Sequence, residues 1–270
     1  MKKFQWALRA FIFVGLLQIV SCTKTIDKTS SESISLGTSN DLTFPTTNEF
    51  SNCKLRRIYQ SYGEGYATVT GVFTYNGQGN PVSVIFNETF AGNHYFGYDS
   101  KARLKDYRFT SEFGTSYHTY AYDANNKIVR DTVRQGVWDS DGPNHSWYRI
   151  YISTFTYDAQ QRIVKETIVN TLNTDVEGEV YPLKPTSNPT FTYDSRGNLA
   201  VAGWKSSSYD YKVSIFRTHP VFQFIHRNYS KNNSSVQAKY NSKGLPLSVI
   251  PGNDNFFALN NVTKAIYDCP

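Results

Sequence analysis

The residues best suited to chemistry in this 270-residue chain lie between two tryptophans, in Trp138-Asp139-Ser140-Asp141-Gly142-Pro143-Asn144-His145-Ser146-Trp147. Asp139, Asp141 and Asn144 offer oxygens of the kind that hold Ca²⁺, but the stretch lacks the downstream bidentate Glu of an EF-hand loop. Asp-Gly-Pro-Asn is also the composition of a solvated hairpin end, and a plain turn is the better reading. Trp138 and Trp147 would give that turn a surface on which a sugar ring can stack. Glu112, Glu166, Glu177 and Glu179 are dispersed, and would serve a glycosidase only if the fold gathered two of them around a cleft. His94, His118, His145, His219 and His226 show no His-x-x-x-His spacing, and the sequence holds no Gly-x-Ser-x-Gly elbow, phosphate loop or dinucleotide fingerprint. His118, in a strand-like run, reads as a hydrogen-bonded structural residue. No catalytic residue, metal ligand or cofactor is therefore expected.

The N-terminus carries the most specific signal. Lys2 and Lys3 precede an apolar stretch from Ala10 to Val20, which ends in Ile19-Val20-Ser21-Cys22. A basic start, a short apolar run and a small residue mark a secretory leader. The run is too short to span a hydrocarbon layer that takes roughly 20 helical residues. Its end resembles the bacterial lipobox, which implies cleavage between Ser21 and Cys22 and acylation of the Cys22 thiol. The membrane is then a partner, held through lipid, since each buried CH₂ contributes about 0.8 kcal/mol. Thr23 after the cysteine implies transfer to the outer membrane, and the lack of an acidic cluster around Lys24, Asp27 and Lys28 favours the periplasmic face over the cell surface. With Cys22 committed to lipid, Cys53 and Cys269 remain as an even pair in an oxidising compartment. A disulfide between them is expected, with two buried thiols as the alternative.

The rest of the chain must supply the scaffold. It is 39% hydrophobic and 16% aromatic, with 20 Tyr and 18 Phe against one Met, a composition suited to β-structure. Removing Lys2, Lys3 and Arg9 with the leader lowers the net charge from +6 to +3, and no basic run exceeds Arg56-Arg57. Nucleic-acid binding is excluded on that ground. Residues 22–52 are dense in Ser and Thr and too poor in apolar side chains to offset the entropy of ordering, so they read as a tether.

From residue 53 one frame recurs six times. It begins at Tyr75-Asn76, Tyr98-Asp99, Tyr122-Asp123, Tyr157-Asp158, Tyr193-Asp194 and Tyr240-Asn241, and closes six residues later on Pro81, Leu104, Ile128, Ile163, Leu199 and Pro246. Phe73, Phe96, Tyr120, Phe155 and Phe191 stand two positions ahead of the first five tyrosines, and Ala238 ahead of the last. A three-residue hairpin loop, a type I turn followed by one left-handed residue, would pair each tyrosine with its sixth successor. The left-handed position holds Gly79, Gly197, Gly244 and Asn126, which suit it, but also Ala102 and Gln161, which predict either strain or a different loop. No window beyond residue 50 shows capped helical periodicity over three turns.

These residues, above all Tyr193-Asp194-Ser195-Arg196-Gly197-Asn198-Leu199, resemble the tyrosine-aspartate (YD) repeat of Rhs and teneurin-like proteins, and the chain looks like the short repeat-bearing lipoproteins of Bacteroidetes. The resemblance implies β-hairpins that assemble into large sheets. It departs from long arrays in its uneven spacing, 23, 24, 35, 36 and 47 residues between successive tyrosines. The expectation is an all-β fold of consecutive antiparallel hairpins in a curved or rolled meander. The chain divides into a leader at 1–21, a lipidated tether at 22–52 and a repeat domain at 53–270. The function that fits is a non-enzymatic envelope module binding a glycan or an envelope protein; the alternative is a glycan-processing enzyme of the same compartment.

Overall fold

The structure is a computed structural model that describes residues 52–61, 68–136, 147–174, 178–200, 209–234, 239–248 and 262–270. Nine strands follow one another as β1 (Lys54–Gln60), β2 (Val69–Tyr75), β3 (Pro81–Phe86), β4 (Asn93–Tyr98), β5 (Leu104–Ser111), β6 (Gly114–Tyr122), β7 (Ile128–Gly136), β8 (Trp147–Tyr157) and β9 (Ile163–Asn173). A short hairpin, β10 (Thr192–Tyr193) with β11 (Leu199–Ala200), comes next. After it come the single α-helix among the described residues, α1 (Pro220–His226), and the last strand, β12 (Val262–Asp268).

The large sheet has ten strands in the order β12-β1-β2-β3-β4-β5-β6-β7-β8-β9, antiparallel throughout and not closed into a barrel. This is the all-β meander the hairpin frame predicts. β12 returns to pair with β1, which brings Leu55 opposite Tyr267 and Lys54 opposite Asp268. Just beyond that pair Cys53 and Cys269 are joined by a disulfide, their Cα atoms 4.1 Å apart across 216 residues of chain.

Period-two alternation decides which residues enter the core. In β2, Val69, Gly71 and Phe73 are buried, while Thr70, Val72 and Thr74 are not. The buried set runs from Leu55 and Ile58 through Phe73, Val84, Phe96, Leu104, Tyr107, Ile128, Phe155 and Ile163 to Val262 and Ala265.

The helix α1 is packed into this core, and its two turns are too few to reveal a periodicity in the sequence. His219 caps its start by accepting the Val221 N–H on Nδ1 at 3.2 Å, and Pro220 supplies a preset φ at the first helical position. Arg227, left-handed at φ 55°, ends it. Phe222 meets Phe73 and Phe96 edge to face, at ring separations of 5.9 and 6.3 Å. Phe224 meets Tyr120 and Phe155 in the same manner, at 5.3 and 5.6 Å. The aromatic two places before each of the first four tyrosines is thus a contact for one helix.

Candidate functional site

Each tyrosine unit is built by the same local chemistry. The Asx side chain after the tyrosine accepts two backbone N–H groups through Oδ1; for Asp99 these come from Lys101 and Arg103, both at 2.9 Å. Asn76, Asp123, Asp158, Asp194 and Asn241 make the corresponding pair of bonds. The tyrosine then pairs with its sixth successor in all six units, from Tyr75 with Pro81 to Tyr240 with Pro246. The left-handed position has φ 86° at Gly79 and 84° at Gly197, but also 59° at Ala102 and 63° at Gln161. Those two side chains therefore use the common loop, so a different loop is excluded and the left-handed strain applies: an L-residue there costs about 1–2 kcal/mol.

The tyrosine hydroxyls tie one unit to the next. Tyr98 donates to the Pro81 carbonyl at 2.8 Å, Tyr122 to Leu104 at 2.7 Å, Tyr157 to Ile128 at 2.7 Å and Tyr193 to Ile163 at 3.2 Å. In every case the acceptor is the last residue of the preceding unit. Tyr75 reaches Leu55 at 2.8 Å, and Tyr267 reaches Pro246 at 2.6 Å. Burial pushes these phenols above the ordinary tyrosine range, so they remain donors. A cation covers several of the rings: Arg103 lies 4.4 Å from the Tyr122 centroid, and Arg162 lies 3.9 Å from that of Tyr193.

Two members of this ladder escape the sequence frame. Tyr209 donates to the Leu199 carbonyl at 2.6 Å, and the Tyr240 hydroxyl donates to Asp210 Oδ2. Tyr209-Asp210 therefore occupies the place of a further unit. It carries Ser207 where the first five units have an aromatic and Val213 where all six have a left-handed residue, so only the dipeptide itself could have signalled it. Tyr267 paired with Leu55 occupies another place, with the disulfide where a turn would be. The strand ladder stays open, and the hydroxyl links run from Tyr75, which bonds the Leu55 carbonyl, to Tyr267, which is the strand partner of Leu55.

A charged cluster is buried against the helix end. Asp131, whose side chain is 2% exposed, accepts from His118 Nδ1 at 3.0 Å and lies 3.4 Å from a terminal nitrogen of Arg227. Glu166, 11% exposed, lies 3.4 Å from Arg227 Nε. Burial opposes the charge on Arg227, and the Glu166 and Asp131 carboxylates more than offset it, holding the guanidinium above its ordinary value. Arg227 also donates to the Phe224 carbonyl at 2.5 Å, with the rings of Phe155 and Phe224 at 4.4 and 4.6 Å. His118 accepts or donates at Nε2 with Ser116, 2.9 Å away. Arg227 serves both acids, His118 serves Asp131 as well, and both carboxylates are buried or nearly so.

Burial lowers the imidazole of His94 to about 3 and that of His219 to about 4, Lys54 adding to the latter, and holds His226 well below its usual value. These rings are neutral packing groups: His94 lies against Tyr107 and Phe109, with its Nδ1 2.7 Å from the Tyr107 hydroxyl. Among the described residues no group of three or more His, Cys, Asp or Glu is arranged to hold a metal ion.

Of the residues singled out in the sequence, Trp147 begins β8 and is partly buried. Trp138, Asp139, Asp141 and Asn144 lie outside the described residues, as does Cys22. Glu166 is joined to Asp131 through Arg227, whereas Glu112 accepts from Thr89 at 3.0 Å on the surface. The Arg227 cluster left no signal in the sequence, because its members come from β6, β7, β9 and the end of α1.

No family model matches the chain, and no curated protein matches it. Among solved structures, part of the TcdB2-TccC3-Cdc42 complex is similar over 48% of this chain, at 14% identity and a TM-score of 0.30; the match spans 7% of that chain. A Bacteroides fragilis protein of unknown function is similar over 49% of this chain and 91% of its own, at 14% identity and a TM-score of 0.19. Likenesses of this size carry no functional argument.

Proposed function

We propose that the chain is an outer-membrane lipoprotein, anchored through acylated Cys22, whose YD-repeat-like domain is a non-enzymatic binding module for a glycan or an envelope protein. The observation that carries this reading is the commitment of the interior groups to one another. A glycosidase needs one protonated and one ionised carboxyl around a cleft; here Asp131 and Glu166 share Arg227 inside the packing around α1. Chemistry open to a ligand then belongs to the outer surface, where a binding module presents it. The Cys53–Cys269 bond suits an oxidising compartment. The leader and the residues around Cys22 support the anchor.

Two measurements test the reading. Cys22→Ser should yield an unprocessed or freely soluble form that takes up no labelled palmitate; a variant that still fractionates with the outer membrane and is labelled would remove the anchor. Binding is tested with the full chain on a glycan array and against envelope extract, with hydrolysis products monitored in parallel. Turnover of any bound glycan would convert the module into an enzyme.

A further inference from the structure

The face of the large sheet turned away from α1 carries one row that differs from its neighbours. His94, Tyr107, His118 and Val133 point inward, so alternation turns Tyr95, Arg108, Tyr117 and Arg134 outward. These four stand directly opposite one another across β4, β5, β6 and β7: Tyr95 with Arg108, Arg108 with Tyr117, and Tyr117 with Arg134. The guanidinium of Arg108 lies 4.6 Å from the Tyr95 ring centroid. Tyr117 is within electrostatic reach of Asp106, Arg134 and Arg108.

The adjacent rung is made of short side chains, Gly97, Asp106, Thr119 and Thr132. Asp106 leans over Gly97, where an added Cβ would fall 2.4 Å from its Oδ1. The Tyr-Arg-Tyr-Arg row is thus flanked on this side by short side chains, and its four members are half-buried. Arg108, Arg130 and Arg134 outnumber Asp106 on this part of the face, which makes it positive.

We propose that this row is the contact surface for an acidic polysaccharide bearing carboxylates on its sugars, with the chain of sugars running across the strands. The proposal rests on the binding-module reading and names its ligand class. Equivalent positions recur every second strand, about 10 Å apart, close to the length of a disaccharide. Arg108 and Arg134 can therefore take carboxylates on alternate sugars, each through the planar fork that matches a carboxylate. Tyr117, and the face of Tyr95 away from the Arg108 guanidinium, offer flat apolar surfaces for the rings between them. The pairing of charge with aromatic surface at a sugar-length repeat favours this occupant over an acidic protein, which needs no such period.

The test is affinity electrophoresis of the full chain through gels containing hyaluronan, polygalacturonate or neutral dextran, with the variant Arg108→Gln/Arg134→Gln beside it. The two acidic polymers should retard the wild type, and the double variant should bind about ten-fold more weakly or worse, given two lost charge-assisted contacts. Its melting temperature should stay near that of the wild type, since the side chains are on the surface. Arg130→Gln, an outward charge off the row, should change binding by no more than about two-fold. Equal retardation of the double variant, or an equal loss in Arg130→Gln, overturns the row as the site. Retention by dextran alone overturns the acidic class and leaves the binding module standing, whereas no retention on any polymer together with an empty glycan array and capture of a protein partner would replace a glycan ligand with a protein.

Discussion

The hairpins from Tyr75 to Leu199 and the segment from Tyr209 to Pro246 hold the same ladder by different means. In the first region each link is backed by an Asx-stabilised turn and a tyrosine paired with its sixth successor. In the second, Tyr209 keeps the hydroxyl bond to Leu199, and Asp210 is held by Lys212, Asn233 and Tyr240 rather than by a hairpin. What persists between the two is the phenol reaching back to the previous unit. The segment freed from strand pairing supplies α1, which fills the space between the inward aromatics. Repetition builds the rim, and its interruption builds the core.

The core is the more sensitive of the two regions. Arg227→Met should leave Asp131 and Glu166 buried without their partner and cost about 3–5 kcal/mol, read by urea unfolding monitored by circular dichroism. Adding Asp131→Asn and Glu166→Gln should recover a large part of that loss. If Arg227→Met is as stable as the wild type, the cluster is not what holds the helix end.

Acid should act on the same region. His94 and His219 stay neutral when folded, with values lowered to about 3 and about 4 from 6.5. Between pH 6.5 and about 4 the unfolded chain binds protons there that the folded chain does not, so stability is full above 6.5 and falls as the pH drops. The slope is at most about 1.4 kcal/mol per pH unit for each histidine. His219→Ser, which retains a helix cap, should reduce that slope in a pH series of melts.

Changes in the rim should be smaller. Tyr122→Phe and Tyr209→Phe each remove one hydroxyl-to-carbonyl bond, worth about 1 kcal/mol. Similar losses at the two sites would support the view that the link itself defines the unit; a negligible loss at Tyr209 would confine it to the hairpins. The smallest effect, and of opposite sign, is expected for Ala102→Gly. Relief of left-handed strain is there partly offset by the entropy of glycine in the unfolded chain, leaving a gain below about 1 kcal/mol by thermal melt.

How much of this was legible follows from how local each cause is. A three-residue loop states its needs within seven residues, so the six turns, the strands ending on their tyrosines and the inward aromatics could all be read directly. The Cys53–Cys269 pair was accessible to counting. The identity of the ladder's acceptors was not, because Tyr157 and Ile128 are separated by 29 residues and nothing in the tyrosine frame says where its hydroxyl ends. Pro220–His226 is too short for a periodicity, and Arg227 meets Asp131 across 96 residues and Glu166 across 61. The Tyr-Arg row was equally hidden: its members belong to four strands, and only the register sets them side by side.

The disulfide bears on how the chain is threaded. Tyr267 opposite Leu55, with Cys53 bonded to Cys269 just outside, reproduces the pairing of a tyrosine unit with a covalent bridge in place of the turn. A peptide linker of the Asp-x-x-Gly-x kind could join the strand ending at Asp268 to the strand beginning at Lys54, and the chain could be reopened at another turn, such as the one after Tyr98. A circularly permuted chain joined and reopened in that way should recover the same strand pairs.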